Sequence, residues 1–219
     1  MINTTEKMIK KLKSDQGLIQ FLADLLSFPG SEYLNSIKLE NDINNILILN
    51  ENTPINKQLK ECVNAYANCD QQVILAEFAR LFVGPFHVIA PPYGSYYLEN
   101  GRLMGESTVQ VSEFYDFAGL TIKDSFKDLP DHVVAELEFL IYLIFNEINF
   151  LENSEIENYT KINNLKIDFF NRFFLVWINK FATLIIENTK LEFYKNVGIC
   201  INNIVDILKT DMTDLKKLN

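Results

Sequence analysis

The side chains able to do chemistry are few, and their spacing is poor for catalysis. Two histidines, His87 and His132, are too few for a multi-histidine metal site. His132 and Glu136 stand four apart, a spacing that shares one helix face and could move protons around a small ligand. Glu136 and Glu138 are two apart, so on one helix they diverge and make no acid–base pair. Cys62, Cys69 and Cys200 match no zinc spacing and contain no CxxC, so they read as small hydrophobes of a reducing compartment. No GxxxxGK[ST], GxGxxG, HExxH or GxSxG occurs. These residues imply no cofactor and no metal, and an enzyme built on His132 and Glu136 is the weaker reading.

The elements that must position these groups are helical nearly throughout. Apolar spacing predicts a helix over Thr5–Leu26, broken near Asp15–Gly17 and stopped by Phe28-Pro29-Gly30. Further helices are expected over Glu32–Asn50, from Pro54 to Asn68, and over Gln71–Val83. The stretch GPFHVIAPPYGSYYLENGRLMG, residues 84–105, then holds three of the six prolines and four of the eight glycines. Its tyrosines and Phe86 point to an ordered connection, serving as a hinge or a groove wall. Helices follow over Ser107–Phe117, with Ser107 or Thr108 as N-cap, and from Asp128 to Leu151, apolar around most of its circumference. Two more cover Asn158–Glu187, which carries Trp177, and Leu191–Leu208. The expected fold is all-α: a single-domain helical bundle with two lobes joined at about residues 84–106. Residues 1–210 form the domain and 211–219 a polar tail.

At the start of the apolar helix, Pro130 fits a first turn, and Asp128 or Asp131 can cap it. Capping does not explain His132 beside them, so Asp131 and His132 stay open to either a structural or a binding role. The formal net charge of −9 and pI near 4.8 speak against nucleic acid and anionic membranes as partners. The N-terminus lacks an apolar run of the kind signal peptides carry. Val133–Phe150 is interrupted by Glu136, Glu138, Asn146 and Glu147, too polar for stable membrane insertion. A soluble, cytoplasmic protein is expected.

Three motifs in order carry a family resemblance. Glu77-Phe78-Ala79-Arg80-Leu81-Phe82-Val83-Gly84-Pro85, then Ala90-Pro91-Pro92-Tyr93-Gly94-Ser95-Tyr96-Tyr97, then Leu129-Pro130-Asp131-His132 through Glu136-Leu137-Glu138-Phe139, resemble the TorD/DmsD redox-enzyme maturation chaperones. The resemblance implies a non-enzymatic protein that binds the twin-arginine leader, and often the body, of a molybdopterin oxidoreductase until its cofactor is inserted and before Tat export. It makes Pro130, Asp131 and His132 leader-binding candidates, together with Leu81, Phe82, Gly84, Pro85, Tyr93, Ser95 and Tyr97, with Glu136 in support. It also implies contacts with molybdenum-cofactor biosynthesis or Tat components, a place in anaerobic respiration, and a monomer or domain-swapped dimer. A NarJ-like variant would act on a subunit that is not exported. Several relatives carry tryptophan in the helix before the G-P element, whereas this chain has only Trp177.

Overall fold

The computed structural model describes residues 4–29, 41, 43–46, 54–84, 87–120 and 128–214. Among these the chain is all-α, with nine α-helices whose bounds are described, two π-helical turns and further helical residues at 41 and 43–46. The nine helices are α1 (Thr4–Leu26), α2 (Pro54–Ala67), α3 (Gln71–Phe78), α4 (Gly94–Leu98), α5 (Glu106–Phe117), α6 (Val133–Glu152), α7 (Ile156–Phe169), α8 (Leu175–Asn188) and α9 (Glu192–Asp214). The π turns are Ala79–Val83, continuing α3, and Phe170–Phe174, joining α7 to α8. The expected segment Glu32–Asn50 lies mostly outside the described residues, as do Gly30, Pro85 and Phe86.

The chain forms two compact units, Met1–Gln16 with Pro92–Ile178, and Gly17–Pro91 with Asn179–Asn219. In the first unit, α6 packs along α7 and the start of α8. Glu147 meets Lys166, and eleven residues away in opposite directions Glu136 meets Trp177, which fixes an antiparallel register. Phe114 and Tyr115 of α5, Phe139 of α6, and Phe169 and Phe173 interlock their rings at centroid distances of 4.6–6.1 Å. Ten buried side chains around α6 confirm it as the central helix of this unit.

In the second unit, α2 packs on α9, where Tyr66 meets Phe193 and Gln58 bonds Asn196. Cys62 and Cys200, 138 positions apart, are buried side by side with their thiols reduced, and burial pushes the Cys62 thiol up. Gly198 lets α9 approach α8: a Cβ there would stand 2.6 Å from Ile186 Cγ1 and 3.0 Å from the Ala182 carbonyl.

Several boundaries differ from expectation. Helix α1 runs unbroken through Asp15–Gly17, because Ser14, Asp15 and Leu18 are buried and packing overrides local propensity. Helix α5 starts one residue early with Gly105 as N-cap. Ser107 serves as a donor: its N–H and hydroxyl both give to Glu99 Oε1, at 2.8 and 2.5 Å. At α6 the cap is His132, not Asp128 or Asp131, and Pro130 precedes the helix. Helix α9 continues to Asp214. The continuous helix Ile156–Asn188 is long and apolar enough to cross a membrane, yet half of its most apolar stretch is buried in the protein.

Candidate functional site

Pro91 and Pro92 bar a helix after Ala90, so the chain is extended at Tyr93 and must find backbone partners elsewhere. It finds them in the segment before α6. Tyr93 and His132 form an antiparallel bridge: Gly94 N donates to Asp131 O at 2.9 Å, and Val133 N to Pro92 O at 2.8 Å. The Asp131 carboxylate then reaches across to accept from Ser95 N at 2.7 Å, capping the first turn of α4. Two motifs separated by 36 residues are thereby locked into one structure.

Asp131 is 1% exposed, and its second oxygen, Oδ1, has no hydrogen-bond partner among the described residues; neither has Ser95 Oγ. His132 Nδ1 accepts from Val134 N at 3.2 Å, which places the proton of the neutral ring on Nε2. Burial lowers the His132 pKa, outweighing the carboxylates of Asp128 and Asp131, so the ring is neutral. Its edge meets Tyr93 with centroids 5.2 Å apart. Burial and the Asp128 carboxylate raise the Tyr93 phenol. Tyr115 donates its hydroxyl to the Pro130 carbonyl at 2.9 Å, fixing the turn from below.

Beneath this bridge lies Glu136, 1% exposed, whose Oε2 accepts from Trp177 Nε1 at 3.1 Å. Burial raises its pKa well above the ordinary carboxylate value; the Trp177 bond opposes and the Asp131 charge reinforces the rise. Trp177 stacks on Tyr97 with centroids 5.4 Å apart. A Cβ on Gly94 would stand 3.0 Å from the indole nitrogen, so glycine permits the close approach of α4 to Trp177.

Of the candidates, Tyr93, Ser95, Tyr97, Pro130, Asp131, His132 and Glu136 therefore come together in the first unit. Leu81, Phe82 and Gly84 belong to the second, and Pro85 lies outside the described residues. Leu81 and Phe82 are core residues there, Phe82 against Phe78, Phe181 and Tyr194. Gly84 ends the π turn at φ 43°, with its N–H on the Ala79 carbonyl, a conformation glycine adopts freely.

The first motif also holds an ion pair that its sequence reading left unassigned. Arg80 donates twice to Glu77, at 2.7 Å each, and once to the Asn188 carbonyl at 2.6 Å, near the end of α8. Lys190 N and Thr189 Oγ1 also donate to Glu77 Oε1. Burial pushes the Glu77 carboxyl up, but these bonds and the Arg80 charge outweigh it and hold its pKa at about 2. The i,i+3 spacing of Glu77 and Arg80 was legible; the partners at 188–190 were not. Trp177 and Glu136, 41 positions apart, carry no local signal at all.

His132 Nδ1, Glu136 Oε2 and Asp131 Oδ2 are each engaged by a bond within the fold, and no group of three metal-ligating side chains occurs among the described residues.

A family model described as nitrate reductase delta subunit matches residues 50–183. The chain is 30% identical over 144 residues to a chaperone protein TorD of Aliivibrio fischeri, covering 65% of this chain and 64% of that one. It is 31% identical over 110 residues to a TorD of a Psychrobacter species, covering 50% and 48%. The chain thus spans less than two thirds of the length of these curated relatives. A redox enzyme maturation protein from Archaeoglobus fulgidus has the same fold, with TM-score 0.53 at 21% identity over 89% of this chain and 93% of that one.

Proposed function

The chain belongs to the nitrate reductase delta subunit family, and on that premise we propose that it is a non-catalytic maturation chaperone in the cytoplasm. Its client is a molybdopterin oxidoreductase subunit carrying a twin-arginine leader, which it holds until cofactor insertion. The observation that carries this reading is the division of labour within the shared motifs. Their charged groups are engaged by the fold, while Tyr93, Tyr97, Pro130 and His132 remain half-buried at the surface of the first unit.

In this reading Asp131, Ser95 and Glu136 are positioning residues that hold the aromatic and proline contacts in place. Leu81, Phe82 and Gly84 do the same for the second unit. An apolar surface with acidic groups nearby suits a leader whose cationic start precedes an apolar run, with charge giving speed and buried area giving affinity. Titration calorimetry with a synthetic twin-arginine leader tests this. Micromolar or tighter binding is expected, and no binding to leaders of any candidate molybdoenzyme sinks it.

The delta-subunit match favours a second reading, in which the client is not exported and the body of the subunit is the ligand. Pull-down with leader-deleted and full-length client separates the two. Undiminished capture without the leader favours the second.

A further inference from the structure

Helix α5 has two faces of different character. Thr108, Val111, Phe114 and Tyr115 are buried, whereas Glu106, Val109, Glu113, Asp116 and Phe117 are exposed. At 3.6 residues per turn, these five exposed positions fall within about 100° of the circumference and run about 16 Å along the helix. The apolar members protrude far into solvent: Val109 is 55% exposed and Phe117 79%, and Met104 just before the helix is 70% exposed. Met104 sits at φ 59°, a left-handed conformation that a non-glycine residue adopts at a cost. Among the described residues no cation pairs with Glu113 or Asp116. Arg172, the cation over the Phe114 ring, is held by Asp168 at 2.8 Å and by the Phe173 face.

We propose that this stripe extends the leader-binding surface of the first unit, an inference that rests on the leader-binding reading above; Tyr115 of the same helix already reaches the Pro130 carbonyl beside Tyr93 and His132. The two acids that no cation pairs with among the described residues lie toward its C-terminal end, and Met104 and Val109 lie toward the other. Glu113 and Asp116 lie in the last turns of α5, where the negative pole of the helix adds attraction for cations, and Phe117 beside them offers a ring face to a guanidinium. Glu106 faces its own helix's positive pole and accepts from Gln110, so the N-terminal half presents mainly Val109 and Met104. A ligand with adjacent arginines followed by an apolar run matches this order. It runs antiparallel to α5, and about five extended residues cover the stripe.

The test uses the full-length chain and a synthetic leader peptide at low and high salt, read by calorimetry. Glu113→Lys with Asp116→Lys should weaken binding at least about tenfold at low salt and much less at high salt. Phe117→Ala should weaken it a few-fold at both. Glu155→Lys with Glu157→Lys, an equal change of net charge on exposed acids of α7 and its cap, is the control and should leave affinity within about twofold. Circular dichroism melting verifies that each variant is folded. Equal loss in both double variants would mean only overall charge steering and would overturn the proposal, as would unchanged binding in the α5 variants. If the wild-type chain binds no leader, the leader-binding reading falls, and this extension of it too.

Discussion

Two buried glutamates, one in each unit, teach opposite lessons. Glu77 is 6% exposed and Glu136 1% exposed, so burial alone would raise both. Glu77 receives two bonds from Arg80 and one each from Lys190 N and Thr189, and its pKa falls to about 2. Glu136 receives one bond from a neutral indole, has the Asp131 carboxylate for a neighbour, and its pKa rises. At Glu77 the donors and the Arg80 charge outweigh burial, and at the more deeply enclosed Glu136, with one neutral donor, burial wins. Glu77 is thus an anion that ties α3 to the residues following α8, whereas burial pushes Glu136, under the bridge of the first unit, toward its protonated form.

The largest expected effect comes from breaking the better-bonded site. Glu77→Ala strands a guanidinium and two backbone or hydroxyl donors, and should cost about 3 kcal/mol in chemical denaturation. Glu136→Gln should cost under about 1 kcal/mol at pH 5, because an amide oxygen can still accept from Trp177. Equal losses at the two positions would erase the contrast.

The pH dependences should run in opposite directions. The Glu77 contribution is present above the unfolded carboxylate pKa of about 4.5 and is lost as pH falls toward 2, so wild type and Glu77→Gln converge in acid. The Glu136 contribution is complete below the unfolded value and is lost as pH rises through the raised folded value. Glu136→Gln should therefore gain on wild type as pH increases. Denaturation midpoints across pH 3–8 for the three proteins check both signs.

A smaller effect sharpens the electrostatic cause. Trp177 is the single tryptophan, so its fluorescence reports the carboxyl beside it. Asp131→Asn keeps an acceptor for Ser95 N but removes the neighbouring charge, and should shift the fluorescence titration midpoint of Glu136 downward. No movement would leave burial as the whole cause. The smallest effect is expected at the helix cap. His132→Asn should stay within about 0.5 kcal/mol of wild type and His132→Ala should lose about 1 kcal/mol, since asparagine caps well and alanine does not. Thermal melts suffice for this pair.

Much of the architecture was legible because helix burial repeats every three to four residues. Pro54 opening α2, the apolar circumference of α6 and the buried Trp177 all follow from that periodicity. The candidate site was legible as two motifs but not as an object. Nothing in the spacing of Tyr93 and His132 says that they pair as a bridge, or that Asp131 caps α4 rather than its own helix. The capping expectation failed because the residue with a free acceptor nearest Val134 N is the neutral His132 ring, while the Asp131 carboxylate is drawn to a donor 36 residues away.

The order of helices, the scarcity of catalytic groups and the motif-based family resemblance belong to the sequence itself, since each depends on residue types at fixed short separations. Which carboxylate is held as an anion, which is pushed toward its protonated form and which serves as a cap was decided only in three dimensions. Ionisation depends on the donors and charges within a few ångströms: Glu77 adds donors 112 and 113 positions away to its neighbour Arg80, Glu136 adds one 41 positions away to its neighbour Asp131, and the donor that Asp131 caps lies 36 positions back.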